Sequence, residues 1–268
     1  MKNAPRRLVE LALPPVAFFV IVVVAWQLAT TIWEIPAYLV PGPGRVFDAA
    51  REHAAELVSA TRLTGAGALS GFGLGMLTGT ILGLVFSQSR IIERSVYPYA
   101  IFLQTVPIVA IAPVLIMWFG NGFGGVVAVS FIVSLFPIIT NATAGLTMVD
   151  VNLLELFEIN NASRAQVLFK LRLPNAIGHL VTGAKISCGL SVIGAIVGEI
   201  SAGFGTRSFG LGYLITAATG KLDTAYAFAA VICSALLSVA IFATVSSIGA
   251  LILARWHIAA PRSSTTNP

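Results

Sequence analysis

Apolar residues gather in long runs along this chain, and polar residues fall between the runs rather than alternating within them. A membrane-crossing helix needs about 20 mostly apolar residues. Six stretches meet that requirement, at roughly 11–33, 64–86, 98–119, 123–146, 180–202 and 225–254. The third and fourth are joined only by Gly120-Asn-Gly-Phe-Gly124, which predicts a tight re-entrant turn between antiparallel spans. The expected fold is therefore all-α: a polytopic membrane protein of about six transmembrane helices, one domain over residues 1–268. The first run is longer than the apolar core of a signal peptide, about 7–15 residues, and reads as a retained span.

The least apolar interior stretch runs from Glu155 to Pro174. Connectors between packed helices usually need about 2–8 residues, so this island is oversized for a simple link. Leu153 to Asn160 reads as a short amphipathic helix, with Leu153, Leu156, Phe157 and Asn160 near one stripe. Asn161 tolerates the left-handed conformation of a turn. Ser163-Arg164-Ala-Gln166 fits a capping box at the start of a second helix, and Pro174 is expected to end that helix. The result is a helix–turn–helix elbow at the membrane face. Amphipathic helices there can also rest among lipid headgroups.

Within the spans, two patterns stand out. Gly67, Gly71, Gly75, Gly79 and Gly83 recur every fourth residue in the second span. Such a ridge lets a neighbouring backbone approach closely, whether in the same chain or a second copy. The third span carries Pro107 and Pro113, with Pro98 at its start. Proline removes a donor and clashes one turn back, so this span is expected to be kinked or unwound. Broken helices survive in membranes only where protein or a water-filled cavity satisfies the freed backbone, and they tend to mark transport sites. Gln104 to Pro113 therefore reads as pathway lining or as a structural kink.

Composition agrees with the pattern: 57% of residues are hydrophobic and 10% charged, against roughly 25% charged in soluble domains. The net charge of +5 is better explained by loop placement than by nucleic acid. With a cytoplasmic N-terminus, the inside holds Lys2, Arg6, Arg7, Arg90, Arg94, Arg164, Lys170, Arg172, Lys185, Arg255 and Arg262. The outside holds only Arg45, Arg51, Arg62, Arg207 and Lys221. That bias obeys the positive-inside rule and places both termini and the elbow in the cytoplasm. Glu199 lies near the outer end of the fifth span. Intramembrane acids are expensive and often functional, so it is either a pathway group or an interfacial, structural hydrogen-bonding one. Arg207 and Lys221 could draw an anion to the outer mouth or be solvated loop charges. Cys188 and Cys233 fit no metal or redox motif, and no metal site is expected. No phosphate-binding loop occurs; Gly220-Lys221 is followed by Leu222.

The elbow resembles the EAA loop of permease subunits of bacterial ABC importers, E-A-A-x-x-x-G followed by I-x-L-P. Glu155 matches the acid and Leu171-Arg-Leu173-Pro174 the I-x-L-P. Leu156 and Phe157 stand for the alanines and Asn161 for the glycine. Val40-Pro-Gly-Pro43, Gln104-Thr-Val-Pro-Ile-Val-Ala110 through Pro113, Met117-Trp-Phe-Gly120, Gly198-Glu199 and Gly210-Leu-Gly-Tyr-Leu-Ile215 resemble segments of the nitrate/sulfonate/taurine subfamily. The resemblance implies a type I importer permease in the bacterial inner membrane. Glu155, Leu156, Phe157, Asn161, Ser163, Arg164, Leu173 and Pro174 would couple it to a cytoplasmic ATPase. It further implies an external binding protein and a second permease copy. This chain would be non-catalytic and hold no cofactor, with ATP and magnesium on the ATPase. The cargo would be a nitrate-, sulfonate- or taurine-like anion or a small heterocycle such as a thiamine precursor. The competing reading is an ion-gradient-driven secondary transporter or channel, which should show intramembrane coupling carboxylates and repeated halves.

Overall fold

Helix is the only regular structure in the computed structural model, which describes residues 4–89, 91, 95, 98–99, 102, 104–203 and 210–255. The helices are α1 (Ala4–Ile32), α2 (Pro43–Glu52), α3 (Ala54–Gln88), α4 (Ile108–Phe119), α5 (Phe123–Thr147), α6 (Val151–Ile159), α7 (Arg164–Ala202), α8 (Leu211–Gly220) and α9 (Thr224–Arg255). Among the described residues α3, α5, α7 and α9 are each long and apolar enough to cross a membrane.

The glycine ridge of α3 lies against α5 of the same chain, and the two helices run parallel. Gly67 faces Val126, Gly71 faces Ser130, Gly75 faces Ser134, Gly79 faces Ile138 and Gly83 faces Ala142. A Cβ on Gly71 would sit 2.6 Å from the Ser130 side chain and 2.7 Å from the Phe131 backbone nitrogen. Only a residue without a side chain allows this approach. Helix α7 runs antiparallel along α5 and packs against α3 as well, so that Ser130 touches both neighbours. There the Ser130 hydroxyl donates to the Ser191 carbonyl at 2.8 Å, and the Ser187 hydroxyl to the Ser134 carbonyl at 2.7 Å. The trio is thus held by backbone proximity and buried hydroxyls, because in lipid there is no hydrophobic gradient between helices to do it.

A second cluster closes the end away from the elbow. Val46 of α2, Leu57 of α3, Leu211 and Leu214 of α8, and Tyr226 and Ala230 of α9 pack there. Neither α2 nor α8 was expected from hydropathy. Each is ten residues long and too short to read as a span. Helix α1 joins this cluster through Trp26, whose ring lies 5.9 Å from that of Phe228.

The third expected span is not one helix. The chain bends at Val106, and Pro107, extended at φ −61° and ψ 118°, caps the start of α4. Pro113 sits inside α4 without ending it. Pro98 and Gln104 are helical, but positions 100, 101 and 103 of the same stretch lie outside the described residues. Gly120 then reverses the chain at φ +91°, a left-handed value that favours glycine, and α5 follows almost at once.

Candidate functional site

The polar island folds as an elbow. Asp150 caps α6, its carboxylate accepting from the Asn152 backbone at 2.9 Å, so the helix begins earlier than its apolar stripe suggests. After Asn160 the chain turns at Asn161, whose φ is +49°. Asparagine tolerates that region because its short polar side chain can bond locally. Ser163 then caps α7 reciprocally: its hydroxyl accepts from the Gln166 backbone at 3.3 Å, and the Gln166 side chain accepts from the Ser163 backbone at 2.8 Å. Two otherwise orphaned donors are satisfied together.

Pro174 does not end the second helix, contrary to the sequence reading. Residues Leu168–Arg172 widen into a π-turn, in which the Leu173 amide donates to the Leu168 carbonyl. The helix then continues through Pro174 to Ala202. A π-turn rearranges the hydrogen-bond ladder just where the proline cannot donate, and such bulges frequently sit at functional sites. The elbow arm and the long span are therefore one continuous rod.

Two side chains fasten that rod. The Arg172 guanidinium donates to the Ser87 carbonyl near the end of α3 at 3.0 Å. The Asn175 amide donates to the carbonyls of Gly145 and Met148 at the end of α5, at 2.9 and 3.0 Å. Neither residue carried a signal in the sequence, because both partners are distant in the chain. In the crook lies a cleft of about 410 Å³ lined by Gln88, Leu154, Glu158, Arg164, Leu168 and Arg172.

The structure brings Glu155, Leu156, Phe157, Asn161, Ser163 and Arg164 onto this elbow and places Leu173 and Pro174 beyond the π-turn. Glu155 is exposed. So are large apolar side chains of α6, with Leu156 at 52% and Ile159 at 78% exposure. The remaining expected residues are elsewhere. Gln104 and Pro107 are exposed beside the break before α4.

Glu199 is 7% exposed and faces α3 and α8. Its carboxylate accepts from the Thr64 hydroxyl at 2.8 Å and from the Gly212 backbone at 2.8 Å, while the Thr64 oxygen accepts from the Leu211 backbone at 2.9 Å. The carboxyl group thereby takes up one of the backbone N–H groups left free at the first turn of α8. Of the two sequence readings, the structural hydrogen-bonding role is the one this geometry fits. Gly210 and Gly212 leave the room, since a Cβ at either would run into Glu199.

At the same end a cleft of about 1140 Å³ is lined by His53, Ser59, Arg62, Lys221, Asp223 and Tyr226 among others. The His53 ring stacks on Tyr226 at 4.3 Å, and the Tyr226 hydroxyl donates to Glu56 at 2.9 Å. His53 carried no motif in the sequence. Arg207 lies outside the described residues.

Comparison with known proteins agrees with this architecture. A permease protein of Haemophilus influenzae, named as a probable ABC transporter permease, is 32% identical, covering 82% of this chain and 88% of its own. The formylaminopyrimidine transport permease protein of Halalkalibacterium halodurans is 31% identical over 90% of this chain and 95% of its own. The inward-facing MetNI methionine ABC transporter superposes with a TM-score of 0.65 at 16% identity, over 75% of this chain and 98% of that one, a likeness of fold. Residues 71–257 match the family model of binding-protein-dependent transport system inner membrane components. With α3, α5, the elbow and α7 all inside or adjoining that region, the chain belongs to this family of ABC transporter permeases.

Proposed function

We propose that this chain lines half of the translocation pathway of an ATP-driven importer and receives its motion through the elbow. A second copy of the chain completes the pathway, and a cytoplasmic ATPase seats α6 in a groove. An external binding protein delivers a small solute. The observation that carries the reading is the elbow itself: α6 offers exposed Leu156 and Ile159 beside exposed Glu155. Its continuation is one rod tied by Arg172 and Asn175 to the ends of α3 and α5. A lever attached in that way moves the spans when it is moved.

The elbow end faces the cytoplasm in this reading, together with both termini, as the lysine and arginine bias requires. This chain hydrolyses nothing; ATP and magnesium belong to the partner. The cargo is a nitrate-, sulfonate- or taurine-like anion or a small heterocycle, chosen largely by the binding protein. The test is reconstitution in proteoliposomes with the ATPase and the binding protein, after ligand screening of that binding protein with nitrate, taurine, methanesulfonate and formylaminopyrimidine. Uptake should require ATP and the ATPase. Uptake by this chain alone, driven by an ion gradient, would refute the reading.

A further inference from the structure

Lys185 does not sit at the membrane surface, where its count among the cytoplasmic cations placed it. It lies about 18 Å along α7 from Leu173 at 1.5 Å per residue. Its level is fixed by its neighbours. Gly183 lies against Asn141 and Pro137, and Ser187 bonds to Ser134, so Lys185 is level with the middle of α5. An ammonium at that depth is costly, and such groups face a bundle interior or a water-filled cavity. The lysine stem can lean toward the elbow end, but it covers only part of the distance.

Three observations say what the ammonium meets. First, among the described residues Lys185 takes part in no side-chain ion pair or hydrogen bond. Second, its face of α7 is open. Gly178, Thr182, Lys185 and Gly189 follow helical spacing; a Cβ added at either glycine would meet nothing within 4 Å, Thr182 is exposed and Lys185 is half-buried. Third, Glu199, the acid of the same helix, lies about 21 Å further along it at 1.5 Å per residue and is already bonded to Thr64 and Gly212. Further along the open face the character changes to apolar, with Ile193 51% and Ile200 44% exposed.

We propose that Lys185 is an anion-binding point on the translocation route, where its ammonium meets the oxyanion group of a small solute in transit. This rests on the permease reading above and narrows its cargo to the anionic class. The small side chains around it leave room for the solute, and the isoleucines beyond it form the dry part of the route.

The test needs neither substrate nor ATP, so it can fail while the import assay succeeds, and the reverse. The full chain is assembled with its ATPase in membranes, in a Cys188→Ala, Cys233→Ala background carrying Thr182→Cys as reporter. Its modification rates with an anionic sulfonatoethyl and a cationic trimethylammonioethyl methanethiosulfonate are measured. Adding Lys185→Gln should lower the anionic-to-cationic rate ratio about tenfold, the scale of one unit charge acting through water at about 6 Å on two reagents of opposite sign. Lys185→Arg should preserve the ratio. A ratio unchanged by Lys185→Gln overturns the proposal, as does a reporter inert to both reagents, which would put this face in lipid or sealed protein.

Discussion

The α3–α5–α7 trio and α1 are built from similarly apolar residues, yet they meet their surroundings in opposite ways. In the trio, glycine and serine bring backbones together, and Gly83 stands directly on Ala142. In α1, Phe18 and Phe19 are 69% and 67% exposed, while Trp26 lies against Phe228 and Gln27 and Thr30 lie beside Gly42. Hydropathy alone does not separate these helices; residue size does. Small residues mark the rigid body, and large ones mark the surface offered to lipid or another chain. The elbow is fastened to the rigid body by Arg172 and Asn175, and in the proposed function a push on α6 travels into the spans through those contacts.

The contrast can be broken at several points. Gly83→Leu should cost about 3 kcal/mol or more, because its side chain would run into the α5 backbone. The readout is loss of folded, monodisperse protein on size exclusion in detergent. Glu199→Ala comes next. It leaves the Thr64 hydroxyl and the Gly212 amide without their buried acceptor, at about 1–3 kcal/mol each, and should lower the thermal midpoint, with Glu199→Gln milder. Ser163→Ala removes one half of the capping box and should cost about 1 kcal/mol, seen as faster hydrogen exchange at Gln166 with the global midpoint little changed. Phe18→Ala should leave the midpoint within error. A large loss there would mean that α1 is packed as tightly as the trio.

Much of this was legible in the sequence, and the rest was hidden for identifiable reasons. The glycine ridge declared itself because its period is that of one helix face, but its partner did not, since Ser130 and Ile138 lie far along the chain. The capping box and the Asn161 turn were legible because all their atoms are local. Pro174 misled for the opposite reason. Its local preference is to end a helix, and the π-turn before it absorbs the conflict. The broken third span followed from Pro107, whereas α2 and α8 were missed because each is ten residues long and flanked by glycine or proline. For Glu199, the sequence supplied a costly acid; only the fold supplied Thr64, 135 positions away.

In the proposed function α6 is the surface through which an ATPase drives this chain. Its most direct measurement is co-purification of the partner ATPase with a Leu156→Asp, Ile159→Asp variant, whose exposed positions should leave the fold intact. The wild-type chain should retain the ATPase, and the variant should lose it while keeping its own elution profile and thermal midpoint. Equal recovery of the ATPase with a folded variant would contradict it.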